Sequence, residues 1–186
     1  MESYLDCLPC LMNQALRAAR AATDDEAVQR QVINAIAAMI PELSLGLKPP
    51  EIAQRGYRII RSITGNNDPF HEAKVEANQM AMALYPHLKK LVEGSEDPLL
   101  TACKLAIAGN SIDLGPNFEP ADINHVIDRT LSSPLAIDDY DELCTVLKGS
   151  PRILYLGDNA GEIVFDRLLI EEINRIPFLG SSFCPF

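Results

Sequence analysis

Apolar residues recur three and four positions apart along most of the chain, which is the spacing of amphipathic helices. Turn and cap residues delimit the periodic segments. Pro49 and Pro50 suit the first turn of a helix, Gly109 suits a helix end, and residues 23–26 form a capping box. The pattern predicts helices over residues 5–22, 23–40, 49–64, 70–91, 98–108, 121–131 and 138–148.

The character of the chain changes at residues 149–151 (GSP). Residues 152–156 (RILYL) predict a short buried strand, and a helical rhythm follows from Glu162. We therefore predict an α/β protein that is mainly helical, with a helical region over residues 1–148 and the first strand, loop and helix of a parallel α/β layer over residues 149–175. That layer is cut short, and residues 176–186 are expected to be a tail foreign to the fold. The unpaired strand leaves self-association through its edges open.

Composition and charge narrow the classes of function. The 186 residues are 47% apolar, enough for a sizeable core, and no apolar run reaches the roughly 18 residues of a membrane helix. Glu2 and Asp6 replace a basic N-terminal stretch, so we expect a cytoplasmic protein without a signal peptide or a membrane partner. The net charge of −10 argues against nucleic acid, but not against a small phosphorylated metabolite held through a divalent cation.

The clearest chemical signal is the run Asp158-Asn159-Ala160-Gly161-Glu162, between the predicted strand and the next helix. Open α/β sheets place ligands at the carboxyl ends of strands, and carboxylate and amide oxygens suit Mg²⁺ or Mn²⁺. Ala160 and Gly161 let the backbone approach a ligand, and the helix N-terminus favours phosphate. The alternative is a tight turn in which Asp158 or Asn159 caps the helix.

Two further polar clusters are candidates for binding a ligand, and the second of them is a candidate wall of the pocket at residues 158–162. Lys74 and Asn78 lie four residues apart on a predicted helix, so they share a face that can hold a phosphate. A solvated face is the plainer interpretation of that pair. Asn110 and Asp113 fall close together in a predicted loop after Gly109, where an ordinary helix end is the alternative.

The five cysteines are odd in number and loosely spaced, so they do not form a disulfide framework. Cys103 and Cys144 lie in apolar helical patterns and are expected to be buried. Cys7 and Cys10 form a C-x-x-C pair. A zinc site needs two more ligands, and a thioredoxin-like redox site needs a preceding strand. A structural role in packing or in capping a helix is therefore the alternative to a metal or redox role for this pair.

Taken in order, these clusters resemble those of the damage-control phosphatase family, in particular its prokaryotic and archaeal branch with an N-terminal C-x-x-C. They span nearly the whole chain, and the ordered set is more specific than any one motif. The matching residues are Tyr4-Leu5-Asp6-Cys7-x-Pro9-Cys10-Leu11, Thr64-Gly65, Asp68-Pro69-Phe70 with Lys74, Gly109-Asn110-x-x-Asp113-x-Gly115, and Asp158-Asn159-Ala160-Gly161-Glu162-x-x-x-Asp166.

The resemblance implies a helical N-terminal region on a Rossmann-like α/β/α layer, and metal-dependent hydrolysis of phosphate monoesters of sugar phosphates or damaged phosphometabolites. It implies that Asp158 and Asn159 bind a divalent ion, namely Mg²⁺, Mn²⁺, Co²⁺ or Ni²⁺. Asn110 and Asp113 match a motif that lines the same cleft. Family members continue into later strands that carry a further metal-binding Asp and a phosphate-binding Lys, so we expect this chain to be inactive or barely active.

For the intact site, the expected catalytic residues are Asp158 and Glu162. The ion held by Asp158 and Asn159 polarises the phosphoryl group, and Glu162 orients the attacking water. The expected substrate-binding residues are Lys74, Asn110, Asp113, Ala160 and Gly161. The competing hypothesis is a non-catalytic helical binding or scaffold module, in which residues 158–162 form only a capped turn.

Overall fold

The computed structural model of the chain describes residues 3–111, 120–150 and 152–176. Within these ranges the secondary structure is helical, with a 3₁₀ turn at Ile40–Glu42 and no strand. The prediction of a mainly helical protein is therefore confirmed. None of the described helices combines the length and the apolar character that crossing a bilayer requires. The helices are α1 (Cys7–Ala22), α2 (Glu26–Met39), α3 (Pro49–Thr64), α4 (His71–Glu93), α5 (Pro98–Ser111), α6 (Pro120–Ser132), α7 (Tyr140–Gly149) and α8 (Glu162–Asn174).

The chain divides into two compact units, Met1–Glu72 and Ala73–Phe186. In the first unit, α1, α2 and α3 pack against one another. Gly56 of α3 leaves room for Leu11 of α1, whose Cδ1 would lie 3.2 Å from an added Cβ. The domain boundary near residue 149, which the sequence predicts between a helical region and an α/β layer, stays a prediction. The shared core of the first unit consists of Leu11, Ala15, Ala18, Ala19, Val32, Ile36, Ile52 and Ile60.

In the second unit, α4, α5, α6 and α8 share one core, and α8 packs most extensively against α5. Phe165 of α8 is completely buried and lies on Gly109 of α5. A Cβ at Gly109 would be 2.8 Å from both Cβ and Cγ of Phe165, so glycine is required for this helix contact. The core residues of the unit are Ala77, Ala81, Tyr85, Leu88, Val92, Ala102, Leu105, Ile127, Val164, Phe165 and Leu168.

The helix ends correct two details of the sequence-based expectations. The N-cap of α2 is Asp25, whose Oδ1 accepts from the N–H groups of Ala27 (2.8 Å) and Val28 (3.4 Å), so the predicted capping box at residues 23–26 is wrong. Gly109 does not end α5, which continues to Ser111. This glycine serves helix packing, for which it lacks a Cβ, and not the left-handed conformation that glycine often supplies at a helix end.

Residues 152–156, predicted to be a buried strand, form an exposed extended segment instead. Leu154 and Leu156 are 82% and 81% exposed. A strand needs a partner for its backbone groups, and within the described ranges no residue pairs with this segment. The buried-strand prediction is therefore wrong here, and self-association through the segment stays a prediction.

A polar cluster joins α4 to α8 at the edge of the second core. Glu171 accepts hydrogen bonds from the Tyr85 hydroxyl (2.6 Å), Lys89 Nζ (2.9 Å) and Arg167 Nε (2.8 Å). The Arg167 guanidinium also lies 4.6 Å from the centre of the Tyr85 ring. Burial of the Glu171 carboxyl favours its neutral form, but the three donors outweigh burial and lower its pKa to about 2.

The lowered pKa predicts how stability depends on pH. Because the folded state binds the Glu171 proton more weakly than the unfolded chain, the contribution is complete above about pH 4.5 and is lost as the pH falls towards about 2. We expect Glu171→Gln to lower the free energy of unfolding by about 1.5–3 kcal/mol at pH 7.

Urea unfolding at several pH values measures this effect, and the difference from wild type should shrink between pH 4.5 and pH 2. Glu93→Gln is the matched control, since its exposed carboxylate pairs with Arg175 at 3.6 Å and contributes little. A difference at Glu171 that is independent of pH would contradict the assignment.

The contact between Phe165 and Gly109 predicts opposite effects for two glycine-to-alanine changes. Alanine is the better helix former by about 1 kcal/mol, so Gly149→Ala in α7, which meets no atom within 4 Å, should be neutral or stabilising. Gly109→Ala should be destabilising by about 1–3 kcal/mol, because the new methyl group collides with Phe165. Thermal unfolding of both variants checks the signs, and equal shifts would refute the packing argument.

Candidate active site

A turn over residues 158–161 leads from the extended segment into α8. Gly161 is buried there with φ 84°, a left-handed conformation that strains any residue with a Cβ. Its N–H donates to Asn78 Oδ1 at 2.7 Å. Because Asn78 belongs to α4, this bond ties the start of α8 to a second helix. The amide oxygen of Asn78 occupies the acceptor position at this helix start.

The two predicted metal ligands lie in the same turn with exposed side chains. Asn159 Nδ2 donates to Glu162 Oε1 at 2.8 Å, so this bond uses the amide nitrogen of Asn159 and not its oxygen. The N-cap position of α8 is Gly161, and no side chain caps this helix. The alternative in which Asp158 or Asn159 serves as a helix cap is therefore wrong.

Asn110 lies at the same end of the second unit, where the packing of α5 against α8 positions it. It lies exposed in the last turn of α5, directly after Gly109, whose contact with Phe165 brings the end of α5 to the first turns of α8. The prediction that Asn110 lies in a loop is thus wrong, because α5 runs past it. Asp113 lies outside the described residues.

Lys74 lies one helical turn before Asn78 in α4, so the two share a face, as the sequence predicts. Lys74 is exposed. The hydrogen bond from Gly161 to Asn78 determines which part of α4 lies against the turn over residues 158–161. A contact between Lys74 and a phosphate stays a prediction.

Sequence reasoning missed the contact that holds the extended segment to α8. The Tyr155 hydroxyl donates to Asp166 Oδ1 at 2.8 Å. Burial, followed by this bond to the carboxylate, raises the pKa of Tyr155 well above its usual value. The two residues are eleven positions apart across a turn, and no helix or strand period links them. Only the folded structure shows the pair.

The turn offers two oxygen donors for a cation, the carboxylate of Asp158 and the amide oxygen of Asn159. These are hard ligands, so their chemistry fits Mg²⁺ or Mn²⁺. Across the described ranges, no group of three or more His, Cys, Asp or Glu side chains is placed to share an ion. An ion bound by the described residues would therefore have few protein ligands, as Mg²⁺ sites often do.

The chain matches the family model of the damage-control phosphatase ARMT1-like domain over residues 3–178. The chain belongs to this family. The resemblance inferred from the ordered motifs is thereby confirmed at the level of the family.

Known damage-control phosphatases are similar to this family member along almost all of its chain. One from Archaeoglobus fulgidus is 33% identical over 174 residues, which cover 91% of this chain and 59% of that protein. Damage-control phosphatase PH1575 from Pyrococcus horikoshii is 33% identical over 177 residues, which cover 95% and 61%. The crystal structure of PH1575, a DUF89 family protein, superposes with a TM-score of 0.86 at 32% identity, covering 96% of this chain and 62% of that one. This family member thus spans less than two thirds of each relative.

The contact between Gly161 and Asn78 predicts a specific loss of stability in this damage-control phosphatase family member. In Asn78→Ala, the buried N–H of Gly161 loses its acceptor, which should lower the free energy of unfolding by about 1–3 kcal/mol. Gln79→Ala is the matched control, since it removes an exposed amide from the next position of the same helix. Urea unfolding compares the two, and equal losses would show that the bond is unimportant.

Proposed function

We propose that this family member takes part in metal-dependent hydrolysis of phosphate monoesters, with sugar phosphates or damaged phosphometabolites as substrates. The observation that carries the proposal is the pair of exposed oxygen ligands, Asp158 and Asn159, on a turn whose backbone is held against α4 at the start of α8. We also infer that the chain belongs to the branch with an N-terminal C-x-x-C. We further infer that residues 149–175 begin a Rossmann-like layer, in which the extended segment of residues 152–156 becomes a strand only beside a partner strand.

In the proposed site, Asp158 and Asn159 hold the divalent ion. A bound ion supplies positive charge that polarises the phosphoryl oxygens. The N-terminus of α8 favours the phosphate, and a phosphate oxygen replaces Asn78 Oδ1 as the acceptor from Gly161, with the N–H of Ala160 beside it.

The remaining residues act on the water and on the substrate. Asn159 Nδ2 donates a hydrogen bond to Glu162 Oε1. The other carboxylate oxygen of Glu162, Oε2, therefore accepts the proton from the attacking water. The water oxygen bonds to phosphorus and the ester P–O bond breaks. The leaving oxygen takes up one proton from solvent and departs as the alcohol, while Glu162 returns its proton to solvent and inorganic phosphate forms. Lys74 offsets phosphate charge, while Asn110 and Asp113 line the substrate side.

Metal binding tests this proposal without relying on turnover. Saturation at about ten times the dissociation constant stabilises a folded protein by about 1.4 kcal/mol, which corresponds to a rise in Tm of about 3–6 °C for a chain of this size. We expect Mn²⁺ or Ni²⁺ to raise the Tm of the wild-type chain by that amount and to leave Asp158→Ala unchanged. Asp24→Ala, which removes an exposed carboxylate of the first unit, should respond like wild type.

Two outcomes would count against the proposal. If wild type shows no thermal response to Mn²⁺, Ni²⁺ or Mg²⁺, the alternative of a non-catalytic helical binding module is favoured. If Asp158→Ala and Asp24→Ala lose the response equally, binding depends on general acidic charge and not on the turn. Hydrolysis of p-nitrophenyl phosphate, measured in parallel, relates metal binding to turnover.

A further inference from the structure

A cleft of about 500 Å³ opens beside the first turn of α1, wholly within the first unit. The proposed phosphatase site does not use it. Apolar side chains from the starts of α1 and α3 form much of its wall, and Asp6 and Gln14 add polar groups. Both cysteines of the C-x-x-C pair, Cys7 and Cys10, line it. Its volume suits a small molecule.

The two sulfur atoms are free thiols and both accept hydrogen bonds. The backbone N–H of Tyr4 donates to Cys7 Sγ at 3.4 Å, and Gln14 Nε2 donates to Cys10 Sγ at 3.5 Å. Cys10 is exposed and Cys7 is half-buried, so an entering molecule meets Cys10 first.

Helix geometry allows these cysteines to be bridged. Residues i and i+3 of an α-helix have Cα atoms about 5 Å apart, inside the range that disulfides span. Cys7 is the first residue of α1 and Cys10 lies in the same turn. A bridge between them is therefore confined to one turn and leaves the core face of α1 in place.

We propose that Cys7 and Cys10 form a thiol–disulfide exchange site that reacts with low-molecular-weight disulfides in this cleft. A zinc site is disfavoured, because a structural zinc ion takes four ligands and the described part of the chain contains no group of three or more candidate ligands. The proposal is independent of the phosphatase proposal, since the two sites share no residue.

The exchange proceeds in two displacements. The Cys10 thiolate attacks one sulfur of the disulfide RSSR, which forms a Cys10–S–SR bond and releases RS⁻. The Cys7 thiolate then attacks Cys10 Sγ, forms the Cys7–Cys10 disulfide and releases the second RS⁻. The two cysteines are oxidised by two electrons, RSSR is reduced, and the two thiol protons end on two molecules of RSH.

Asp6 predicts which disulfides react faster. Its exposed carboxylate lines the cleft beside both cysteines, so it attracts a cationic disulfide and repels an anionic one. We expect cystamine to oxidise the pair roughly threefold faster than glutathione disulfide because of this one charge. Asp6→Asn should reduce the ratio of the rate with cystamine to the rate with glutathione disulfide. Asp24 is an exposed acidic residue of the same unit, so Asp24→Asn should leave that ratio unchanged.

The test uses the full chain, cystamine as oxidant, alkylation of the remaining thiols and tryptic peptide mapping. Arg17 is the first basic residue, so the peptide of residues 1–17 contains Cys7, Cys10 and no other cysteine. We expect this peptide to lose two hydrogen atoms and to regain them with dithiothreitol. Cys7→Ser should stop at the mixed disulfide on Cys10, and Cys10→Ser should form no bridge.

An internal control and two contrary results complete the experiment. Burial, and then the nearby Cys144, raise the pKa of Cys103 to about 11, so its peptide should react at least roughly tenfold more slowly. A mixed disulfide that persists on the wild-type peptide without a bridge would overturn the proposal. Stoichiometric zinc in the purified chain, lost in Cys7→Ser/Cys10→Ser, would overturn it in favour of a metal site.

Discussion

The seating of Phe165 on Gly109 is the constraint on which the second unit depends. A completely buried aromatic ring fits there because the opposing helix has no side chain at that level. The contact fixes the distance between α5 and α8, and therefore the position of the first turn of α8. The turn before that helix carries Asp158 and Asn159, so the core contact lies only a few residues along the chain from the two proposed metal ligands.

A second glycine completes the placement of the turn. Gly161 adopts a left-handed conformation and donates its N–H to Asn78, which sets the turn against α4. Neither anchor involves the side chains of Asp158 or Asn159. The backbone is held by core packing and by one hydrogen bond, and the two oxygen-bearing side chains remain at the surface. The two proposed metal ligands are therefore not needed to hold the fold, and their oxygen atoms stay available to an ion.

Much of the helical structure could be predicted from the sequence, because helical periodicity is a local signal. The shared face of Lys74 and Asn78 follows from their spacing, and the left-handed Gly65 after α3 follows from glycine at a helix end. The role of Gly109 could not be predicted in this way, because a glycine that ends a helix and a glycine that makes room for a neighbouring aromatic ring look the same in one sequence.

Non-local contacts set the limit of prediction. The apolar run of residues 152–156 predicts a strand, but a strand exists only with a partner, and its leucines face solvent among the described residues. The bond between Tyr155 and Asp166 joins positions with no common period. The sequence alone predicts the chemical character of residues 158–162, whereas the hydrogen bond from Gly161 to Asn78 depends on how α4 and α8 pack.

The bond between Gly161 and Asn78 also gives the molecule a spectroscopic reporter. A backbone amide proton that is buried and hydrogen-bonded to a side chain exchanges with solvent deuterium only when that bond opens. The exchange rate of this single glycine amide therefore records how often the start of α8 separates from α4. A ligand that takes the place of the Asn78 oxygen alters the chemical shift of the same proton, so occupancy of the turn can be followed at one resonance without a substrate or a turnover assay.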